Sequence, residues 1–176
     1  NLVSKNELSN IAERHVLDSL APLIFFKPEA GASILDIGSG AGFPAVPLKI
    51  FRRDLSITMV ESRRKNILFL KSLIPLLDIK DFYPIWSRIE DFSSDSPFDI
   101  ATSRATAVPE TIAEWSYPHL KPGGRLILFL GPSEVKRLEL IEDNLDRLGY
   151  TMLYTKESPF VSKRDFKILV AEKRPK

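Results

Sequence analysis

The chain has 176 residues, 44% hydrophobic and 27% charged, with a formal net charge of +2 at pH 7. That is enough apolar material for one core, so one domain over residues 1–176 is expected. It has no cysteine and only two histidines, His15 and His119, which excludes a disulfide framework, a thiol nucleophile and a Cys- or His-rich metal centre.

No apolar run approaches the ~20 residues of a membrane span, and no signal-peptide pattern opens the chain. A cytoplasmic monomer without a membrane partner is the expectation. The first residue is Asn rather than Met, so the amino terminus reads as truncated, with residues 1–30 as a helical segment.

Taken in order, "ELSNIAERHVLDSLAPLIFF" carries Leu8, Ala12, Val16 and Leu20 at four-residue steps, a helical stripe. Short β-branched runs then alternate with helical ones. "SILDI" reads as a strand, "AVPLKIF" as a helix, "SITMVE" as a strand and "RRKNILFLKSLI" as a helix. "DFYPIW" and "FDIATS" read as strands, and "PETIAEWSYPHL" as a helix before the strand "RLILFL". "SEVKRLELIEDNLDRLG" predicts one amphipathic helix closed by Gly149. The last two runs, "YTMLYTKE" and "FKILVAEK", are too close for a parallel crossover and must pair as a hairpin. The fold class is therefore α/β: a mostly parallel sheet with an antiparallel strand near its end and a helix before it. This is the Rossmann-like architecture of class I methyltransferases.

Charge is unevenly spread. Residues 49–71 hold seven basic residues (Lys49, Arg52, Arg53, Arg63, Arg64, Lys65, Lys71) against Asp54 and Glu61, a net of +5. Residues 156–176 carry a net of +4 and residues 78–114 a net of −5. This pattern predicts either a basic face for an anionic partner or ordinary solvated helix surface.

The stretch "ILDIGSGAGFPAVP" places Gly38, Gly40 and Gly42 directly after the first strand. Ligands of such sheets bind at the carboxyl ends of the strands, where the strand order reverses. A dinucleotide loop would need a third glycine at the position of Phe43. The pattern Asp36-x-Gly38-x-Gly40-x-Gly42 instead resembles the first motif of S-adenosylmethionine (SAM) methyltransferases. That ligand has no phosphates and asks for close backbone approach plus carboxylates. Asp36 suits its ammonium end through water. Glu61, 23 positions after Gly38 at the end of the second strand, suits the ribose hydroxyls. Pro44 and Pro47 fit the start of the next helix.

A narrower resemblance rests on "NLVS", "RHVLDSL", "ILDIGSGAGFPAVPL", "VESRRKNILFL", "SRIEDF" and "FDIATSRATA". In this order and spacing they resemble the GidB family, the small-subunit ribosomal RNA methyltransferase G proteins, which methylate guanine N7 in 16S rRNA. The resemblance implies SAM as cofactor and the small ribosomal subunit or its 16S rRNA as partner. It implies that Gly38 and Phe43 line the cofactor site, that Ile89 and Glu90 hold the adenine, and that Arg104 stands between cofactor and target base. It also brings Arg14, His15 and Asp18 of the first helix near the active site, as positioning groups rather than a general base. The chain departs from the family in having Leu130-Gly131 where Lys-Gly is usual, and Ala45 in place of a glycine. A small-molecule methyltransferase and a SAM-binding RNA module without turnover remain open alternatives.

Overall fold

The computed structural model describes residues 12–160 and 166–175, with side chains described from His15 onward. Seven strands form one sheet: β1 (Ser33–Ile37), β2 (Ser56–Glu61), β3 (Phe82–Trp86), β4 (Phe98–Arg104), β5 (Leu120–Leu130), β6 (Tyr150–Glu157) and β7 (Lys167–Lys173). Their spatial order is β3-β2-β1-β4-β5-β7-β6. The first five run parallel, while β7 lies between β5 and β6 and is antiparallel to both. The expected hairpin is present, and β7 joins it to the parallel part.

Alternate residues of each central strand feed opposite faces, which is why the strands read as nearly unbroken apolar runs. Ile34, Ile57, Met59, Ile100 and Ile127 pack with α3 (Ala45–Phe51) and α4 (Arg64–Leu77) on one face. Leu35, Ile37, Val60, Ala101, Leu126 and Leu128 pack on the other with α5 (Pro109–Ser116) and α7 (Leu138–Leu148).

Three helix boundaries differ from the sequence expectation. The first stripe is not a single helix: a π-helical turn over Ala12–Leu17 leads into α1 (Asp18–Leu20) and α2 (Pro22–Phe25). Pro22 has no N–H to continue the ladder, and Leu8 lies outside the described residues. α5 ends at Ser116, a 3₁₀ turn takes Tyr117–His119, and Leu120 already belongs to β5. The long amphipathic stretch divides into α6 (Pro132–Val135) and α7, where the Arg137 amide bonds back to Glu134 O at 2.9 Å. There Arg137 reaches Glu110 of α5 at 2.6 Å, a tertiary contact that fixes the break.

The chain winds outward from β1 to β3 and returns to β4 on the other side of β1. The strand order thus reverses between β1 and β4, and the turns at their carboxyl ends frame the site.

Candidate functional site

The β1 turn is shaped by what surrounds it. A Cβ on Gly38 would fall 2.2 Å from the Thr106 side chain, so only glycine fits beneath it. Thr106 Oγ1 lies 3.1 Å from both Ile37 O and Gly38 O, tying the turn after β4 to the turn after β1. At Gly40 no such crowding exists; its φ of +54° aims its amide at Glu61. Gly42 and Phe43 complete the turn, and Pro44 leads into α3.

Both predicted acids stand at this turn. Glu61 is nearly buried; Oε2 accepts from Gly40 N at 2.8 Å and Oε1 from Arg63 N at 2.7 Å. The carboxylate therefore spans the ends of β1 and β2 and is held rigid before any ligand arrives. Asp36 is wholly buried, and Thr102 Oγ1 donates to its Oδ1 at 2.8 Å. Its Oδ2 is buried with no hydrogen-bond partner among the described residues. Burial, with Glu61 adding to it, pushes the Asp36 carboxyl up to about 6, against the Thr102 bond and the nearby Ser39 hydroxyl, which donates to Asp36 O at 3.1 Å.

Beside the turn is a pocket of about 200 Å³ between the ends of β1, β2 and β3. Ile89 and Glu90, on a 3₁₀ turn over Ile89–Asp91, line it with Gly38, Ser62, Thr106 and Trp115. Ile89 is buried and Glu90 exposed, an apolar wall with a polar rim, as a nucleoside base requires. A larger open hollow of about 620 Å³ lies at the opposite end of the sheet. Its Lys121 and Arg125 are already engaged by Asp99 at 2.6 Å and Glu172 at 3.5 Å, so it offers less convergent chemistry.

Arg104 closes β4. Its Nη2 lies 3.2 Å from His15 Nδ1, and its Nη1 donates to His15 O at 3.3 Å. The His15 ring packs on Phe43, centroids 5.1 Å apart. Three predicted residues from three separate elements thus meet at the switch point. Asp18, also buried, accepts from Ser158 Oγ at 2.9 Å, anchoring α1 to the end of β6. The Arg14 side chain lies outside the described residues.

The basic stretch 49–71 is only partly a face for an anion. Lys49 is 1% exposed; its ammonium donates to Arg53 O and Leu55 O, and burial lowers its pKa. Arg52 is bound to Asp54 at 2.7 Å, and Arg53 reaches Asp78 O at 3.2 Å. Arg63, Arg64 and Lys65 remain exposed. At the other end of the chain, Lys173 also turns inward, to Tyr117 O and Leu120 O.

Thr102 and Thr106 were not singled out from the sequence. They lie in "FDIATSRATA", but their partners are 66 and 68 or more positions away in the chain. Trp115 reads as a core residue; it packs on the core and lines the pocket as well. Leu130 is buried and paired across the sheet with Lys167, so a cation lies one strand away from the position where the family usually has lysine.

Strand order, reversal point, glycine turn and paired acids define the class: a Rossmann-like methyltransferase fold. The structure resembles that of a methyltransferase from Pyrococcus furiosus, with TM-score 0.69 and 20% identity over 87% of this chain and 80% of that one. It also resembles the glycopeptide N-methyltransferase MtfA complexed with sinefungin, with TM-score 0.75 and 12% identity over 90% and 86%. The family model GidB, rRNA small subunit methyltransferase G, matches residues 1–160, and the chain belongs to that family. It is 37% identical to ribosomal RNA small subunit methyltransferase G of Dictyoglomus thermophilum, over 78% of this chain but only 58% of that protein. It is 34% identical to the protein of the same name from Lactobacillus delbrueckii subsp. bulgaricus, over 89% and 68%. The chain thus spans less than two thirds of the Dictyoglomus relative. No described helix is long and apolar enough to cross a membrane.

Proposed function

We propose that this protein transfers the methyl group of SAM to N7 of a guanine in 16S rRNA, acting on the small ribosomal subunit as a cytoplasmic monomer. The observation that carries the reading is the cradle of Asp36, the 38–43 turn and Glu61 beside an apolar pocket, in a chain of the GidB family.

The residues suit a phosphate-free nucleoside with a cationic amino-acid tail. Asp36 Oδ2, buried and unsatisfied, is an acceptor in wait of an ammonium, directly or through one water. Glu61, fixed by two backbone amides, retains acceptor capacity for a ribose diol. Ile89 packs against the base while Glu90 accepts from its exocyclic amine. Gly38 and Phe43 border the sulfonium region, and Arg104 stands at the exit toward the acceptor.

When bound, SAM supplies an electrophilic methyl on a sulfonium, whose charge is lost on transfer. Guanine N7 carries a lone pair and no proton, so no side chain has to act as general base. Arg104, positioned by His15, orients the acceptor, and the contribution of the protein is proximity and alignment. His15 and Asp18 hold the first helical segment over the site. Exposed Arg63, Arg64 and Lys65 contribute phosphate contacts.

The test is tritiated SAM with small subunits that lack the modification. Label recovered from the RNA as 7-methylguanine is expected. Label in no RNA, or only in a small-molecule acceptor, overturns the reading.

A further inference from the structure

On the other flank of the β4 end lies a second hollow, of about 250 Å³, bordered among others by Arg104, Phe129, Leu130, Gly131, Glu134 and Phe166. It and the nucleoside pocket share one turn: Thr106 borders the first pocket, while Arg104, Ala105 and Ala107 border this one. We propose that this hollow receives the acceptor base and that Glu134 selects guanine by its Watson–Crick edge. The proposal rests on the RNA-methylating reading above and adds to it the residue that reads the base.

The walls suit one flat aromatic ring system. Phe166 packs on Phe129 with centroids 6.2 Å apart, and the Arg104 guanidinium lies 6.0 Å from the Phe166 ring centre. Leu128 and Leu130, on the α5–α7 face of β5, border it too, while Phe129 meets it from the opposite face at the strand's end. A base taken out of its stack is held this way, between apolar or aromatic surfaces, and read by hydrogen bonds to its Watson–Crick edge.

Among the described residues Glu134 is the one carboxylate bordering this hollow. Among the described residues its side chain makes no ion pair and no hydrogen bond. Arg137, three positions on, is instead engaged by Glu110 at 2.6 Å. A Cβ on Gly131 would stand 3.1 Å from Glu134 Oε2, so the glycine keeps the approach of the carboxylate open. Half-buried Glu134 keeps acceptor capacity for donors that an occupant brings. Guanine brings two side by side, N1–H and the N2 amine, and a carboxylate accepts both. Adenine, cytosine and uracil each offer an acceptor next to a donor on that edge, and a carboxylate repels the acceptor. With its Watson–Crick edge on Glu134, guanine turns its N7 edge away from Glu134, toward the shared turn and the methyl donor.

The test compares guanosine with inosine, which lacks only the N2 amine, at the methylated position of otherwise identical small subunits. The wild-type protein and Glu134→Ala are assayed for methyl transfer, with SAM affinity as the control for folding. Wild type is expected to prefer guanosine by roughly tenfold in kcat/KM, the value of one lost base-edge hydrogen bond. Glu134→Ala should lose activity on guanosine, treat the two bases alike and keep its SAM affinity. A Glu134→Ala protein that keeps the wild-type preference overturns the proposal, as does a wild type that methylates both bases equally. Failure of the broader reading looks different: wild type would then label no RNA at all.

Discussion

Thr102 Oγ1 donates to Asp36 Oδ1 at 2.8 Å across the seam between β4 and β1, directly opposite in the register of the two strands. This bond fixes one oxygen of the carboxylate and leaves the other buried without a partner. A buried carboxylate thus stands where the sheet reverses, and a cationic ligand would offset the cost of its charge.

That charge makes stability depend on pH. The folded carboxyl titrates at about 6 against 3.8 in the reference state, so the folded protein holds a proton that the unfolded chain has released across this interval. Stability should decline as pH rises from about 4 to 6 and stay level above, a loss on the order of 3 kcal/mol. Asp36→Asn should flatten this slope in urea titrations and raise the apo melting temperature at pH 7 by several degrees. The same variant should bind SAM more weakly. An unchanged pH slope would show that Asp36 is not the titrating group.

Glu61 holds the turn and is also the residue proposed for the ribose. In Glu61→Ala the Gly40 and Arg63 amides lose their acceptor, so the cost includes apo stability, roughly 1–3 kcal/mol in denaturant melts. SAM affinity by calorimetry should fall along with it. Glu61→Gln, which keeps one oxygen acceptor, should fall between the two. Wild-type affinity in Glu61→Ala would remove the residue from the ribose site.

Arg104 should affect turnover more than binding. Its guanidinium holds His15 and is proposed to align the acceptor, so Arg104→Ala should lower kcat on the order of a hundredfold while SAM affinity changes little. Amide exchange in residues 15–20 should quicken as the tether is lost. Arg104→Lys should not restore the rate, because an ammonium cannot reproduce two guanidinium contacts. Unchanged turnover in Arg104→Ala would exclude the residue from the site.

Lys49 and Arg64 separate structural from functional basic residues. Lys49→Met should cost roughly 1–3 kcal/mol, since a buried and a part-buried carbonyl lose their donor, with RNA affinity unchanged once the protein is folded. Arg64, exposed and stacked 5.6 Å from the Trp86 ring centre, should behave oppositely. Arg64→Ala should leave stability alone and reduce the salt dependence of RNA binding by about one contact.

Trp115 offers an optical readout. The chain has two tryptophans; Trp115 borders the nucleoside pocket and Trp86 lies outside that lining on exposed β3. Titration with SAM should change the tryptophan emission, and Trp115→Phe should abolish most of the change. A full response in the variant would place the nucleoside elsewhere.

The sequence by itself determined the sheet, the turn and the family. Short β-branched apolar runs and a glycine turn between acids are local signals, because each depends on the φ/ψ preference or burial of neighbouring residues. Phe43 in place of a third glycine was enough to favour a phosphate-free nucleoside over a dinucleotide. Helix interruptions at Pro22 and Arg137 were less legible, since the second depends on a partner, Glu110, 27 positions away.

Only the tertiary structure decided which charges face the site. Lys49 and Arg64 look equivalent in a run of basic residues, yet one is buried on backbone carbonyls and the other is open to solvent. Asp18 lies in the same motif as His15, but one anchors to Ser158 and the other meets Arg104. Thr106 shapes the glycine turn from the next strand over. These pairings join residues far apart in sequence, and the free energy of each depends on burial and direction, which no local pattern encodes.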